Sequence, residues 1–98
     1  MEKVYEKAMF IELKSLGVFV ERQKQINVHY KDQIVGEYNA DLIVSETVII
    51  EIKAAESLCE AHEFQLINFL KATEIEVGLL LNFEKTPQIK RKIFSNKF

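Results

Sequence analysis

Ninety-eight residues with 48% hydrophobic and 29% charged side chains, three glycines and one proline supply one globular core over residues 1–98. They exclude two folded domains, a disordered chain and a collagen-like one. The single Cys59 closes no intrachain disulfide, no apolar run reaches the roughly 18 residues of a membrane span, and the N-terminus alternates charge, so the expected location is the cytoplasm. The formal net charge of −2 conceals an asymmetry: residues 1–84 sum to −7 and residues 85–98 to +5. With Lys85, Lys90, Arg91, Lys92 and Lys97 and no acid, the last stretch reads as a basic tail that either aids solubility or contacts phosphate.

From Glu2 to about Leu16 the spacing of Tyr5, Met9, Leu13 and Leu16 predicts a helix, with Gly17 as its stop. Val18 to Tyr30 turns β-branched and aromatic and predicts one long or broken strand. After a turn at Lys31-Asp32-Gln33, two more strands are expected over 34–44 and 48–53, separated by Ser45-Glu46-Thr47, giving a three-stranded meander. Ser57 followed by Glu60 has the form of a capping box, opening a second helix that runs to about Ala72. Glu76 to Asn82 is a short apolar run suited to a buried strand. The string is αβββαβ plus the basic tail.

Charges interrupt the central strands. Asp41 opens Asp-Leu-Ile-Val, and Glu51 and Lys53 break the run Val-Ile-Ile-Glu-Ile-Lys. A three-residue loop at Ser45–Thr47 pairs Val44 with Val48 and sets Asp41 opposite Glu51, whereas a two-residue loop would put them on opposite faces. In the first register Lys53 shares their face, because strand side chains alternate. Two facing carboxylates repel unless a proton or cation lies between them. Mg²⁺ favours a site of one or two carboxylates completed by water and phosphate. Zinc is disfavoured, since Cys59, His29 and His62 show no zinc-ligand spacing. The competing reading is a solvated strand in which Glu51 and Lys53 balance each other.

The helices offer weaker signals. Glu2 and Glu6 border the core-facing stripe of the first helix, where the helix dipole alone also favours an acid. On the second helix Leu58, Cys59, Leu66, Phe69 and Leu70 form the expected buried arc, with His62 inside it and Gln65 at its edge. His62 reads first as a core histidine. Gln65 suits either a lysine or phosphate partner or a strand carbonyl.

Asp41, Glu51-Ile52-Lys53 and the element order resemble the D-x(n)-E-x-K signature of the PD-(D/E)XK nuclease superfamily. More closely, the chain resembles that superfamily's GxxExxY proteins through Glu2-Lys-Val-Tyr5-Glu6, Glu21-Arg22-Gln23, Ala40-Asp41-Leu42, Glu51-Ile-Lys53-Ala54, Gln65 to Leu70 and Gly78 to Phe83. Ala40 stands where proline often precedes the aspartate, and Phe69 where the related Q-x-x-x-Y motif has tyrosine.

The resemblance implies a restriction-endonuclease-like α/β fold with a central mixed sheet flanked by helices. It implies a nuclease hydrolysing DNA phosphodiester bonds with Mg²⁺ or Mn²⁺ and leaving a 5′-phosphate. Asp41 and Glu51 would bind metal, with the Ile52 carbonyl, Glu6 and then Glu2 as further candidates. Lys53 would position water, and Gln65 would assist at the phosphate. The alternative expectation is a non-catalytic nucleic-acid-binding or homodimeric assembly module that keeps the fold.

Overall fold

The computed structural model describes residues 1–55, 58–83 and 86–95. Their order is α1 (Glu2–Ser15), β1 (Val20–Tyr30), β2 (Gln33–Val44), β3 (Val48–Lys53), α2 (Glu60–Lys71), β4 (Val77–Asn82) and β5 (Gln88–Ile93). The strands form one sheet in the order β1-β2-β3-β4-β5. The first three are an antiparallel meander. α2 then carries the chain across to β4, which runs parallel to β3, as a parallel connection requires a crossover. No helix among the described residues is long and apolar enough to cross a membrane.

Local chemistry sets the element ends. The Val18 amide donates to Leu13 O at 3.1 Å and the Gly17 amide to Lys14 O at 3.0 Å. This Schellman pair places Gly17 at φ 80°, where a side chain would be strained. Leu16, expected on the core stripe, instead lies in the cap and is 70% exposed. The first hairpin turns on Lys31 and Asp32, both at positive φ, so Tyr30 pairs directly with Gln33 and β2 begins one residue earlier than expected. The second turns on the three residues Ser45–Thr47 and pairs Val44 with Val48.

Two apolar clusters sandwich the sheet. On one face Tyr5, Met9 and Leu13 of α1 pack against Val20, Leu42, Ile50, Ile52 and Leu81. On the other, Leu66, Phe69 and Leu70 of α2 pack against Ile26, Ile43, Ile49 and Leu80. The approach of α2 is close enough that a Cβ on Gly78 would stand 2.7 Å from Leu66 Cδ1.

Three expectations are corrected. The basic stretch is not a tail over its described length: residues 88–93 form β5, antiparallel to β4, and Lys92 is tied to Glu63 of α2 at 2.6 Å. The expected cap Ser57 lies outside the described residues, as do Lys85 and Lys97. α2 starts at Glu60 with Cys59 as its N-cap, so Cys59 is exposed rather than part of the buried arc. His62 is the other half of that cap, its Nδ1 accepting from the Cys59 amide at 3.3 Å.

Candidate active site

The β2–β3 ladder stops at Leu42↔Ile50, although β2 continues against β1 and β3 continues against β4. The two central strands fork there. Just past the last rung stand Asp41 and Glu51, and their carboxylates take over the amides that the ladder would have paired. The Asp41 amide donates to Glu51 Oε2 at 2.8 Å, and the Ile52 amide donates to Asp41 Oδ2 at 2.8 Å. This reciprocal exchange satisfies two backbone donors and fixes both side chains without rotamer freedom. Each carboxylate commits one oxygen to the backbone; the other oxygen of Asp41 accepts from the Gln23 side-chain amide at 3.3 Å.

Glu51 is only 4% exposed. Burial first, and then the charge of Asp41, push its carboxyl up to about 8. Asp41 is also raised, chiefly by burial and further by Glu6, against the lowering effects of the Ile52 amide and Lys53. The strands therefore hold two acids in the state that least favours ionisation. Lys53, two residues past Glu51, lowers both, and its Nζ donates to Gln65 Oε1 of α2 at 3.5 Å.

α1 closes the other side. Glu6 is 2% exposed. The Gln23 amide donates both to Glu6 Oε1 and to Asp41 Oδ1, the latter at 3.3 Å. Glu6 Oε2 lies 3.2 Å from Arg22 Nε but has no partner in hydrogen-bond geometry. Glu2 stays outside this cluster: it is exposed, its Oε2 accepts from the Ala54 amide at 3.1 Å, and it is Glu6 whose charge raises Asp41 and Glu51. The structure thus gathers Asp41, Glu51, Ile52, Lys53, Gln65 and Glu6 at the fork and leaves Glu2 at its rim.

Two supporting residues, present in the motif set that carries the resemblance, were given no role at the site from sequence. Gln23 takes a left-handed φ of 54°, at the gap between the Arg22↔Leu42 and Lys24↔Ala40 rungs. A sequence gives no warning of that, since glycine or asparagine is the usual occupant of such a backbone position. Asn82 is 2% exposed. It clamps the segment after β3 by accepting from the Ala55 amide at 3.0 Å and donating to Ala55 O at 2.9 Å. A buried asparagine ending an apolar strand is the signal that could have found it.

The donor set suits a hard divalent cation. Among the described residues no three His, Cys, Asp or Glu side chains form a ready-made cage. Mg²⁺ needs none, because one or two carboxylates with water and substrate phosphate suffice. The raised carboxyls of Asp41 and Glu51, with Glu6 contributing to both, are a crowding of acids that such an ion would relieve.

A family model of the PD-(D/E)XK nuclease superfamily matches residues 1–93. The chain is similar in fold to the crystal structure of SSO0001, at 18% identity over 97% of this chain and 50% of that one, with a TM-score of 0.72. It is likewise similar to an alkaline exonuclease (LHK-Exo) from Laribacter hongkongensis, at 15% identity over 96% of this chain and 55% of that one, with a TM-score of 0.61. The chain spans about half the length of each of these structures. No curated protein matches.

Proposed function

On the premise that this chain belongs to the PD-(D/E)XK nuclease superfamily, we propose that it is a divalent-metal-dependent nuclease hydrolysing phosphodiester bonds of DNA. Within that superfamily we propose kinship with the GxxExxY proteins, a reading supported by the resemblance of its ordered motif set to theirs. The observation that carries the proposal is the fork, where Asp41 and Glu51 are locked on each other's strand beside Lys53.

Asp41, Glu51 and the Ile52 carbonyl would hold Mg²⁺ or Mn²⁺, with Glu6 as the additional acid. Glu2 is reassigned to holding the Ala54 amide. The bound ion supplies Lewis-acid stabilisation of charge on the phosphodiester. Lys53 orients the attacking water by hydrogen bonding and offsets negative charge at the phosphate. Gln65 holds the Lys53 ammonium in place through its Oε1, leaving the remaining N–H bonds of Lys53 for water and substrate. Burial and Asp41 raise the Glu51 carboxyl to about 8, and a cation held there would favour its carboxylate form. Cleavage leaves a 5′-phosphate. The exposed free thiol of Cys59 fits a reducing compartment, and the cytoplasm is the proposed location.

The test pairs calorimetric titration of Mg²⁺ and Mn²⁺ with cleavage of single-stranded, nicked and linear duplex DNA. Wild type should bind metal and cut at least one of these. Glu51→Gln should lose metal binding and roughly 10³-fold or more of the rate, the scale of removing an electrostatic stabiliser. Metal-loaded wild type that cuts nothing Glu51→Gln does not cut would refute the proposal. A second reading, a homodimeric assembly module, is favoured by Ile89 and Ile93, which are 71% and 59% exposed on edge strand β5. Light scattering that finds a monomer at micromolar concentration removes it.

A further inference from the structure

A cleft of about 450 Å³ opens between the β1–β2 hairpin and the flank of α2, lined by Asn27, Val28, His29 and Tyr38 on one side and Asn68 and Lys71 on the other. It shares two elements with the fork, β2 and α2. Asn68 follows Gln65 by one helical turn, and Tyr38 precedes Asp41 by three residues, about 10 Å of strand.

Charge separates this cleft from its neighbour. The next one, of about 420 Å³, is lined by Glu21, Glu46 and Glu74 with Lys24, a surface that repels a phosphodiester. Among the described residues lining the first cleft there is no acid; they supply an ammonium, an imidazole and two amides. Its size falls in the range of about 300–1,000 Å³ that takes one small organic group. A base pair within an intact stack cannot deliver a base into it.

Tyr38 is prepared for stacking. Its ring meets Phe69 edge-on, with centroids 5.2 Å apart and planes at 72°, and its Cε2 lies 3.8 Å from where a Cβ on Gly36 would stand. Yet it remains 41% exposed. An aromatic face fixed before binding loses little freedom when a base stacks on it. Lys71 has its ammonium 5.8 Å from the Phe94 ring centroid. That exposed cation–π contact is weaker than a phosphate ion pair and leaves the side chain free to swing.

We propose that this cleft binds one unpaired nucleotide flanking the scissile phosphate, with Tyr38 stacking on the base, Lys71 on the adjoining phosphate, and Asn68 and Asn27 on base edges. The inference rests on the phosphodiesterase reading and sharpens it: the substrate presents a single-stranded or frayed segment at the site.

The test is fluorescence anisotropy with a fluorescein-labelled oligothymidylate, against a blunt hairpin duplex of equal charge, in metal-free buffer, followed by cleavage of the same oligonucleotide in Mn²⁺. Wild type should prefer the single strand about tenfold, and Tyr38→Ala and Lys71→Glu should each weaken that binding about tenfold. Lys71→Glu lies on an exposed helix face, so it keeps the test decisive if Tyr38→Ala fails to fold. Equal affinity for both probes, unchanged affinity in Lys71→Glu, or no binding by wild type overturns the cleft. Cleavage that persists in that case leaves the nuclease reading standing. Cleft-dependent binding without cleavage in any metal does the reverse.

Discussion

The two halves of β3 obey opposite rules within six residues. At Val48–Ile50 the strand is laddered to β2 and its side chains are core, with Ile49 at 0% and Ile50 at 6% exposure. At Glu51–Lys53 the ladder to β2 is gone; Ile52 stays in the core at 1% exposure, but Glu51, 4% exposed, takes the place of an apolar residue on the opposite face. The first half gains stability from burial. The second holds like charges together and sacrifices stability for a site, the pattern expected where function overrides packing.

Substitution on either side of the last rung should separate the two rules. Ile49→Ala should cost about 2–5 kcal/mol in denaturant melts, as a fully buried aliphatic truncation does, while metal affinity of the folded fraction is kept. Glu51→Gln should do the opposite, raising metal-free stability above neutral pH while metal binding is lost. Were Glu51→Gln to destabilise the metal-free protein at pH 8, the carboxylate would belong to the packing half after all.

Titration sharpens the same contrast. Unfolded, Glu51 ionises near its ordinary 4.5; folded, burial and Asp41 hold it to about 8. Between those values the native state carries the extra proton, so stability is greatest below the unfolded value and is lost as pH rises towards 8. Asp41, also raised, acts in the same direction. The metal-free melting temperature should fall from pH 5 to 8, by the equivalent of a few kcal/mol. Glu51→Gln should flatten that slope, and Mg²⁺ should reverse it by favouring the ionised form. An identical slope in wild type and Glu51→Gln would assign the pH dependence elsewhere.

Much of the fork was legible because register is arithmetic. A three-residue loop at Ser45–Thr47 sets Val44 opposite Val48, and the same count brings Asp41 to Glu51. α1 was legible from its stripe and Gly17. β5 was not, because lysine and arginine on an edge strand are both a guard against edge-to-edge pairing and the mark of a solvated tail. Nor was the role of His62, whose place on the helix face resembles a core position while its ring caps the first turn. The Phe69 ring is met by Tyr38 from thirty-one residues upstream, a contact that no local pattern announces.

Gln23 offers the smallest effect and the finest distinction. Its backbone sits at φ 54°, a conformation costing a non-glycine residue about 1–2 kcal/mol, and its amide bridges Glu6 and Asp41. Asparagine tolerates that backbone better but is one methylene shorter. Gln23→Asn should therefore leave the melting temperature near that of wild type, because relieved strain offsets the lost bonds. The Mg²⁺ concentration for half-maximal cleavage should rise about tenfold, the scale of one charge-assisted hydrogen bond, while the rate at saturating metal changes little. A half-saturation point equal to wild type would make the Gln23 amide a filler between two acids. A shift would mean that the Gln23 amide holds Asp41 in its ligating orientation, so that the fork is set by β1 as well as by the two strands that diverge from it.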